Sequence, residues 1–549
     1  MTNYTQHLNS NQREKDRSDQ VKNNAGGYVF QLSELDQLKR FLILGSVGGT
    51  YYVNERNLTR DNAKVITRMV KAGNANVVVD TIREISVSRR APSNTEAIFA
   101  LALTLVSSEG DDKRYAADAI TDVCRTHSHL FEFASMLKGL GKKPGNGAII
   151  QRGFRSWYDK KDASELCYQM VKYQSRYGWS NADILHCVRP KADDDAEEAL
   201  FAWATEAEGW ESQIDEHQDD LQRLHAKLRA DVSGSPRETE KLIRENNLTR
   251  EMVRPEHLKS PLVWDALLVA GRGMPMWAML RNLGKMTEVG VIKPLSNGER
   301  LIAEKFEDKE LVQKSGLHPF QILQAMSTYS GGQGFRGSLT WSPSQRIVDA
   351  LDTAFEHSFD NVESTGNSTL LGLDVSGSMD GATLRNSSIS AREASAAMAM
   401  ITARTEPNHA FIGFTGSGRS NGFMRRDSGV ERLKISPKWR INEVVRSIIG
   451  LPFGRTDCAL PMIWAKENKI DVDTFVIYTD NETYAGNIHP YRALKDYRQA
   501  RGIAAKLIVV GMTSTGFSIA DPEDAGMLDV VGFDSSAPKI IADFSKGGF

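Results

Sequence analysis

From about residue 28 to 360 apolar side chains recur at spacings of three and four, the period of one helix face, and strand-like alternation is scarce. Ser93-Asn94-Thr95-Glu96 sets a hydroxyl three residues before a glutamate, ahead of the run AIFALALTLV. That is a capping box and predicts a helix start. Ser180 and Asp183 stand in the same relation, with Trp179 placed to pack on Ile184 as a hydrophobic staple, so a helix is predicted from about Asn181. Many helices of one to two dozen residues joined by short turns predict stacked helical pairs of the HEAT or armadillo kind, although no sequence repeat of fixed period is present.

After about residue 365 the period changes. Apolar runs of strand length at 370–373 (LLGL), 410–414 (AFIGF), 474–478 (TFVIY) and 507–510 (LIVV) alternate with helical stretches at 388–404, 457–467 and 489–500. Strands apolar on both faces, separated by helices, predict a mostly parallel, doubly wound sheet. Its ligands would sit at the carboxyl ends of the strands. The expected organisation is a flexible, polar tail over 1–27, a helical region over 28–365 and an α/β domain over 366–549.

The chain has 549 residues, of which 40% are hydrophobic and 25% charged, values that exclude a fibrous or wholly disordered protein and suit two or more domains. Its formal net charge of -2 excludes a uniformly basic coat for nucleic acid but not a local basic patch. Residues 138–191 hold eleven Lys or Arg against four acids, a balance of +7, whereas 192–220 hold twelve acids and no Lys or Arg. Such segregation focuses a positive field on one surface, unless the two stretches offset one another in space. Four scattered cysteines, none in a CxxC pair, fit a reducing interior. No apolar run approaches a membrane span and the first residues lack the apolar core of a signal peptide, so a cytoplasmic protein without membrane contact is expected.

Candidate chemistry begins where the first strand of the α/β part ends, in Asp374-Val375-Ser376-Gly377-Ser378. Carboxylate and hydroxyl oxygens spaced two apart in a tight loop can present hard ligands to a Mg²⁺-sized divalent cation. Thr456, before a helix, and Asp480, after a strand, supply two further oxygens where the sheet requires them. No base and nucleophile pair, Walker loop, HExxH, GxSxG or GxGxxG accompanies these residues in a suitable context, so binding is expected there, not catalysis. The constellation resembles the metal-ion-dependent adhesion site of von Willebrand factor A domains. The resemblance implies that Asp374, Ser376, Ser378, Thr456 and Asp480 hold the cation, with Arg455 standing where that family usually has a second glycine.

The strings GGTYY (48–52), KYQSRYGWSNADIL (172–185), LRNLGKMT (280–287) and LHPFQILQAM (317–326) precede TDCALPMIWA (456–465), TDNETYAG (479–486) and AKLIVVGMTSTGF (505–517). In this order they resemble the Ro ribonucleoprotein (SS-A autoantigen) family over nearly the whole chain. The resemblance implies a TROVE module, a ring-shaped solenoid of HEAT-like helical repeats, followed by the von Willebrand factor A domain. It further implies that small noncoding Y RNAs bind the outer basic surface and that single-stranded ends of misfolded RNAs enter the central hole. An exoribonuclease is an implied partner, since bacterial relatives are linked to such enzymes. The family's RNA-binding motif falls on Lys172 and Arg176, four apart and so expected on one helix face, and on Arg189, where the family has histidine.

Lys142, Lys143, Arg152 and Arg155 join them from the basic stretch, and Arg281, Lys285 and Arg336 are further candidates for phosphate contact. For the last three a solvated or helix-end role is an equal alternative. Tyr51, Tyr52, Tyr173, Trp179 and Trp341 are candidates for base stacking, with Trp179 better placed in the core; His186 reads as a packed or surface residue. The leading expectation is a noncatalytic RNA-binding scaffold. The alternative is a protein-interaction scaffold that captures an acidic side chain through the cation; a nuclease has only the metal site in its favour.

Overall fold

The structure, a computed structural model, describes residues 11–46, 53, 55–214, 219–271, 273–334, 338–358, 364–381, 389–416, 429–449, 455–532, 534 and 536–547. Tyr51, Tyr52 and Arg336 lie outside these residues. From residue 11 onward the segment expected as a flexible tail is ordered against the α/β domain. Its β1 (Gln20–Lys22) pairs antiparallel with β2 (Tyr28–Gln31), and β2 pairs in turn with residues 517 and 518. Side-chain amides do what apolar residues do elsewhere: Gln12 is fully buried and donates to Asp457 Oδ1 at 2.7 Å, and Asn23 donates to the Thr483 carbonyl at 2.8 Å. A polar segment is thereby fixed by buried hydrogen bonds, which composition does not reveal.

Helices then follow from Glu34–Leu44 to Gln345–His357. The box at Ser180 forms as expected: Asp183 N–H donates to Ser180 Oγ at 3.2 Å, Ser180 N–H donates to Asp183 Oδ2 at 2.8 Å, and the helix starts at Asn181. Trp179 and Ile184 are buried in the same core. The box at Ser93 does not form. The helix there is Thr95–Ser107, so its cap position falls on Asn94, whose amide donates instead to the Val123 carbonyl at 2.7 Å, while Glu96 is buried. Among the helices, β3 (Ser175–Arg176) and β4 (Trp179–Ser180) form a two-residue hairpin through Tyr177 and Gly178, with φ of 55° and 74°. Positive φ at both central positions is the type I′ geometry that matches strand twist.

The late helices return to the early ones. Arg89 Nη1 donates to the Ser315 carbonyl at 2.7 Å, Gln321 Nε2 donates to the Pro92 carbonyl at 2.6 Å, and His318 Nε2 lies 2.8 Å from the Arg90 carbonyl oxygen.

The α/β domain holds β5 (Thr369–Asp374), β6 (His409–Phe414), β7 (Val430–Leu433), β8 (Thr474–Thr479), β9 (Lys506–Gly511), β10 (Phe517–Ser518) and β11 (Met527–Val531). Its sheet runs β11-β9-β8-β5-β6-β7, parallel throughout except for β7. Successive strand residues serve different cores. Leu371, Leu373, Val476 and Val510 join a cluster continuous with that of the helical region, whereas Leu370, Ile412, Ile477 and Val509 face a second cluster with Met462 and Leu494. Strands buried on both faces need apolar residues at every position, hence the unbroken runs. No described helix is long and apolar enough to cross a membrane.

Candidate metal centre and nucleic-acid interface

Asp374 closes β5 and Asp480 follows β8, so adjacent parallel strands deliver two carboxylates to the same edge of the sheet. Asp374 Oδ1 accepts from Ser376 N–H at 2.9 Å and Oδ2 from the Thr479 hydroxyl at 2.7 Å. The hydroxyls of Ser376 and Ser378 are 3.0 Å apart, and Thr456 joins the Asp480 loop by accepting from Tyr484 N–H at 3.1 Å and Ala485 N–H at 3.0 Å. All five expected ligands are buried. Burial holds the Asp374 carboxyl above its ordinary range, against the hydrogen bonds from Ser376 and Thr479 and the charge of Arg392, which pull it down. Asp480 is pushed up to about 8, first by burial and then by the charges of Asp374 and Glu482. Arg392 is buried beneath them and donates to the Val375 and Ser376 carbonyls. Two carboxylates and three hydroxyls, with the charge of Asp374 pushing Asp480 up, form a donor set that fits a hard divalent cation. Arg455 is exposed.

The sequence did not single out the brace behind this site. Asn24 Nδ2 and Ala25 N–H donate to Glu482 at 2.7 and 2.9 Å, and Thr483 Oγ1 donates to Gln12 Oε1 at 2.7 Å, so the N-terminal segment holds the loop that carries Asp480. Gly27 permits the approach: a Cβ there would lie 1.9 Å from the Thr483 carbonyl oxygen. A second acidic group, Asp19, Asp521 and Glu523, is already satisfied by Arg17, which pairs with all three.

The expected RNA-binding residues divide into three sets. Lys142 and Lys143 lie between helices His127–Gly139 and Ala148–Asp159, and Arg152 and Arg155 stand on the latter. Arg189 caps the helix Asn181–Val188 in the left-handed conformation. Arg155 Nε donates to the Val188 carbonyl at 2.5 Å and so joins these two helices. Lys142, Lys143 and Arg189 are exposed and make no ion pair among the described residues, whereas Arg152 pairs with Asp118 at 3.2 Å. None of the described acids of 192–220 forms an ion pair with the 138–191 cations.

Lys172 and Arg176 do not share a helix face. The helix ends at Lys172 and Arg176 lies on β3, because the chain turns at Tyr177-Gly178. What unites them is the Tyr173 ring, whose centroid is 5.3 Å from Lys172 Nζ and 5.5 Å from the Arg176 guanidinium carbon. The hairpin packs on the helix His127–Gly139, next to the first set. Arg281 and Lys285 form a third set on the helix Met276–Glu288, where Lys285 pairs with Glu288 at 2.6 Å and Arg281 lies over Trp277. Trp341 is a packing residue: it stacks on Tyr329 and its Nε1 donates to the Tyr329 carbonyl at 2.9 Å. His186 is exposed.

Residues 368–545 match the family described as the Ro60 vWA domain, and residues 21–238 and 207–330 match the TROVE domain. The chain is 37% identical to the RNA-binding protein RO60 of Deinococcus radiodurans over 98% of both chains. The chain belongs to the Ro60 family. A second relative, the RNA-binding protein RO60 of Caenorhabditis elegans, is 35% identical over 98% of this chain and 91% of its own length. The crystal structure of the Deinococcus radiodurans RO (RSR) protein superposes with a TM-score of 0.68 at 34% identity, over 94% of this chain and 100% of that one. The Ro60 match therefore spans both the helical region and the α/β domain, with Asp374, Ser376, Ser378, Thr456 and Asp480 inside the vWA match and the cations of 138–191 inside the TROVE match.

Proposed function

We propose that this chain is the noncatalytic RNA-binding protein of a cytoplasmic ribonucleoprotein. Small noncoding Y RNA lies on the outer surface around Lys142, Lys143, Arg152, Arg155, Lys172, Arg176 and Arg189. The helical region is a closed ring of HEAT-like repeats whose hole takes single-stranded ends of misfolded RNAs for quality control, and an exoribonuclease is the partner that consumes them. One observation carries the reading: Lys142, Lys143, Arg176 and Arg189 are exposed on neighbouring elements and make no ion pair among the described residues, in a chain of net charge -2. A polyanion is what such a surface attracts. The return of residues 315–321 to 89–92 supports ring closure. The names of the relatives support RNA as the ligand.

The test is binding of a Y-type hairpin RNA and of a single-stranded RNA to the wild-type protein and to Lys172→Ala/Arg176→Ala. Weaker hairpin binding with single-strand binding less affected supports the assignment; equal hairpin affinity in the two proteins removes it.

The five buried oxygens favour a second, compatible reading. Asp374, Ser376, Ser378, Thr456 and Asp480 hold Mg²⁺, whose open position takes a carboxylate from a protein partner. Partner recovery that survives EDTA unchanged removes the cation from that mechanism.

A further inference from the structure

The helices Ala163–Lys172 and Gln222–Val232, the turn 247–251 and residues 267–271 and 273–278 line a cavity of about 830 Å³. Small-molecule sites run from about 300 to 1,000 Å³, so a nucleotide fits. Among the described residues three cations line it: Lys172, Arg223 and Arg250. Lys172 Nζ donates to Tyr168 Oη at 3.0 Å, and the Arg223 guanidinium carbon lies 5.5 Å from the centroid of the same ring. The Nε atoms of Arg223 and Arg250 and the Oγ1 of Thr249 are buried with no hydrogen-bond partner among the described residues. Asp162, Glu165 and Glu251 share the wall, but none forms an ion pair with the three cations; Asp162 accepts from the Glu165 N–H at 2.7 Å. Buried guanidinium N–H groups with no partner among the described residues are costly unless a ligand accepts from them. The remaining wall is apolar, with Leu248, Leu267, Met274 and Ala278. Phosphate-binding donors thus face a surface suited to a base.

We propose that this cavity is a nucleotide site, in which Arg223, Arg250 and Lys172 hold a phosphate and the apolar wall of Leu267 and Met274 receives the base. The inference rests on the RNA-binding reading for the choice of a nucleotide, and deepens it by giving the protein a single-nucleotide pocket that adjoins the outer surface and shares Lys172 with it. Two sources share this chemistry: a free mononucleotide and the 5′-phosphorylated end of an RNA strand.

The test titrates the full-length protein at low salt with UMP and AMP by calorimetry, and with a ten-residue oligouridylate carrying either a 5′-phosphate or a 5′-hydroxyl. Saturable one-site binding of a mononucleotide is expected, weakened at least tenfold in Arg223→Gln/Arg250→Gln. Ala278→Phe, which fills the pocket from the opposite wall without removing charge, is expected to abolish it. Displacement of the phosphorylated oligonucleotide by UMP assigns the pocket to RNA ends, and saturation without displacement assigns it to free nucleotide; either supports the proposal. No mononucleotide binding, or unchanged binding in both variants with native circular dichroism, overturns it. A Y-type hairpin RNA titrated in parallel separates the two claims: a protein that binds the hairpin and no mononucleotide loses the pocket and keeps the function.

Discussion

Arg90 and Asp534 clasp the helical region to the α/β domain: Arg90 Nε is 3.1 Å from each oxygen of the Asp534 carboxylate, and Nη2 also donates to Oδ2. The same arginine gives Nη1 to Glu84 at 2.7 Å, and its carbonyl oxygen is the contact of His318. One residue therefore touches the early helices, the late helices and the sheet domain. The Asp534 side chain is 2% exposed, so Arg90→Gln leaves a buried carboxylate whose remaining partner among the described residues is Ser536, with N–H at 3.0 Å and Oγ at 2.6 Å. A destabilisation of about 2–3 kcal/mol is expected, below the full cost of an orphaned charge because Ser536 still donates. Denaturant unfolding of the single variants and of Arg90→Gln/Asp534→Asn checks it, and additive single effects would show that the pair is uncoupled.

Phosphate contacts set the salt dependence of binding. Lys142→Ala/Lys143→Ala/Arg189→Ala removes three exposed cations, and the slope of log affinity against log salt for a structured RNA is expected to flatten by about 2–3. The loss should be the same for unrelated RNA sequences. An unchanged slope removes these residues from the interface.

A cation at the sheet edge would stabilise the fold by binding it. At a Mg²⁺ concentration of 100 times the dissociation constant the gain is about 2.7 kcal/mol, read as a higher melting temperature in Mg²⁺ than in EDTA. Asp480→Asn is expected to remove that difference. A melting temperature indifferent to Mg²⁺ in the wild type argues against cation binding.

His127 is fully buried between Phe131 and Trp157, 4.5 and 5.0 Å away between ring centroids, and burial pushes its pKa down to about 3. Because the folded value lies below the unfolded value of about 6.5, the unfolded chain takes up the proton first. The stability contribution is whole above about pH 6.5 and declines as the pH falls towards 3, by about 2 kcal/mol at pH 5. His127→Phe is expected to flatten unfolding free energy between pH 7 and 5 by that amount, measured by chemical denaturation at both pH values.

Cys124, Cys167 and Cys458 are buried, and burial pushes each thiol above its ordinary range; Cys187 is the half-exposed cysteine. It stands on the helix Asn181–Val188, two residues before Arg189, with its carbonyl 3.5 Å from Gln151 Nε2 of the helix that carries Arg155. Under native conditions maleimide is expected to label Cys187 alone, and bound structured RNA is expected to slow that labelling. Mass spectrometry of the labelled peptides reads both outcomes.

The sheet was legible because its signal is local. Strands buried on both faces are apolar throughout, and Asp374, Thr456 and Asp480, the residues expected to bind a cation, fall at strand ends or beside a helix start. The Ser180 cap was legible for the same reason, since both partners lie within four residues. Ser93 misled because Asn94, at the cap position, is drawn away by a carbonyl 29 residues on. Arg176 was misplaced because a two-residue turn between polar neighbours leaves little trace in the helical period. Arg223 and Arg250 were passed over because only the packing of distant helices brings them beside Tyr168. The docking of Gln12 depends on Asp457, 445 residues later, which no local pattern can anticipate.

That pairing of beginning with end has a consequence for biosynthesis. Phe30 of β2 meets Ser518 of β10, so at about 5–20 residues per second the ribosome needs roughly 25–100 s to make the strand that completes the first hairpin's sheet. During that interval one edge of β2 stays open to any other extended chain, and a nascent polypeptide of this kind would benefit from a chaperone that shields it until termination.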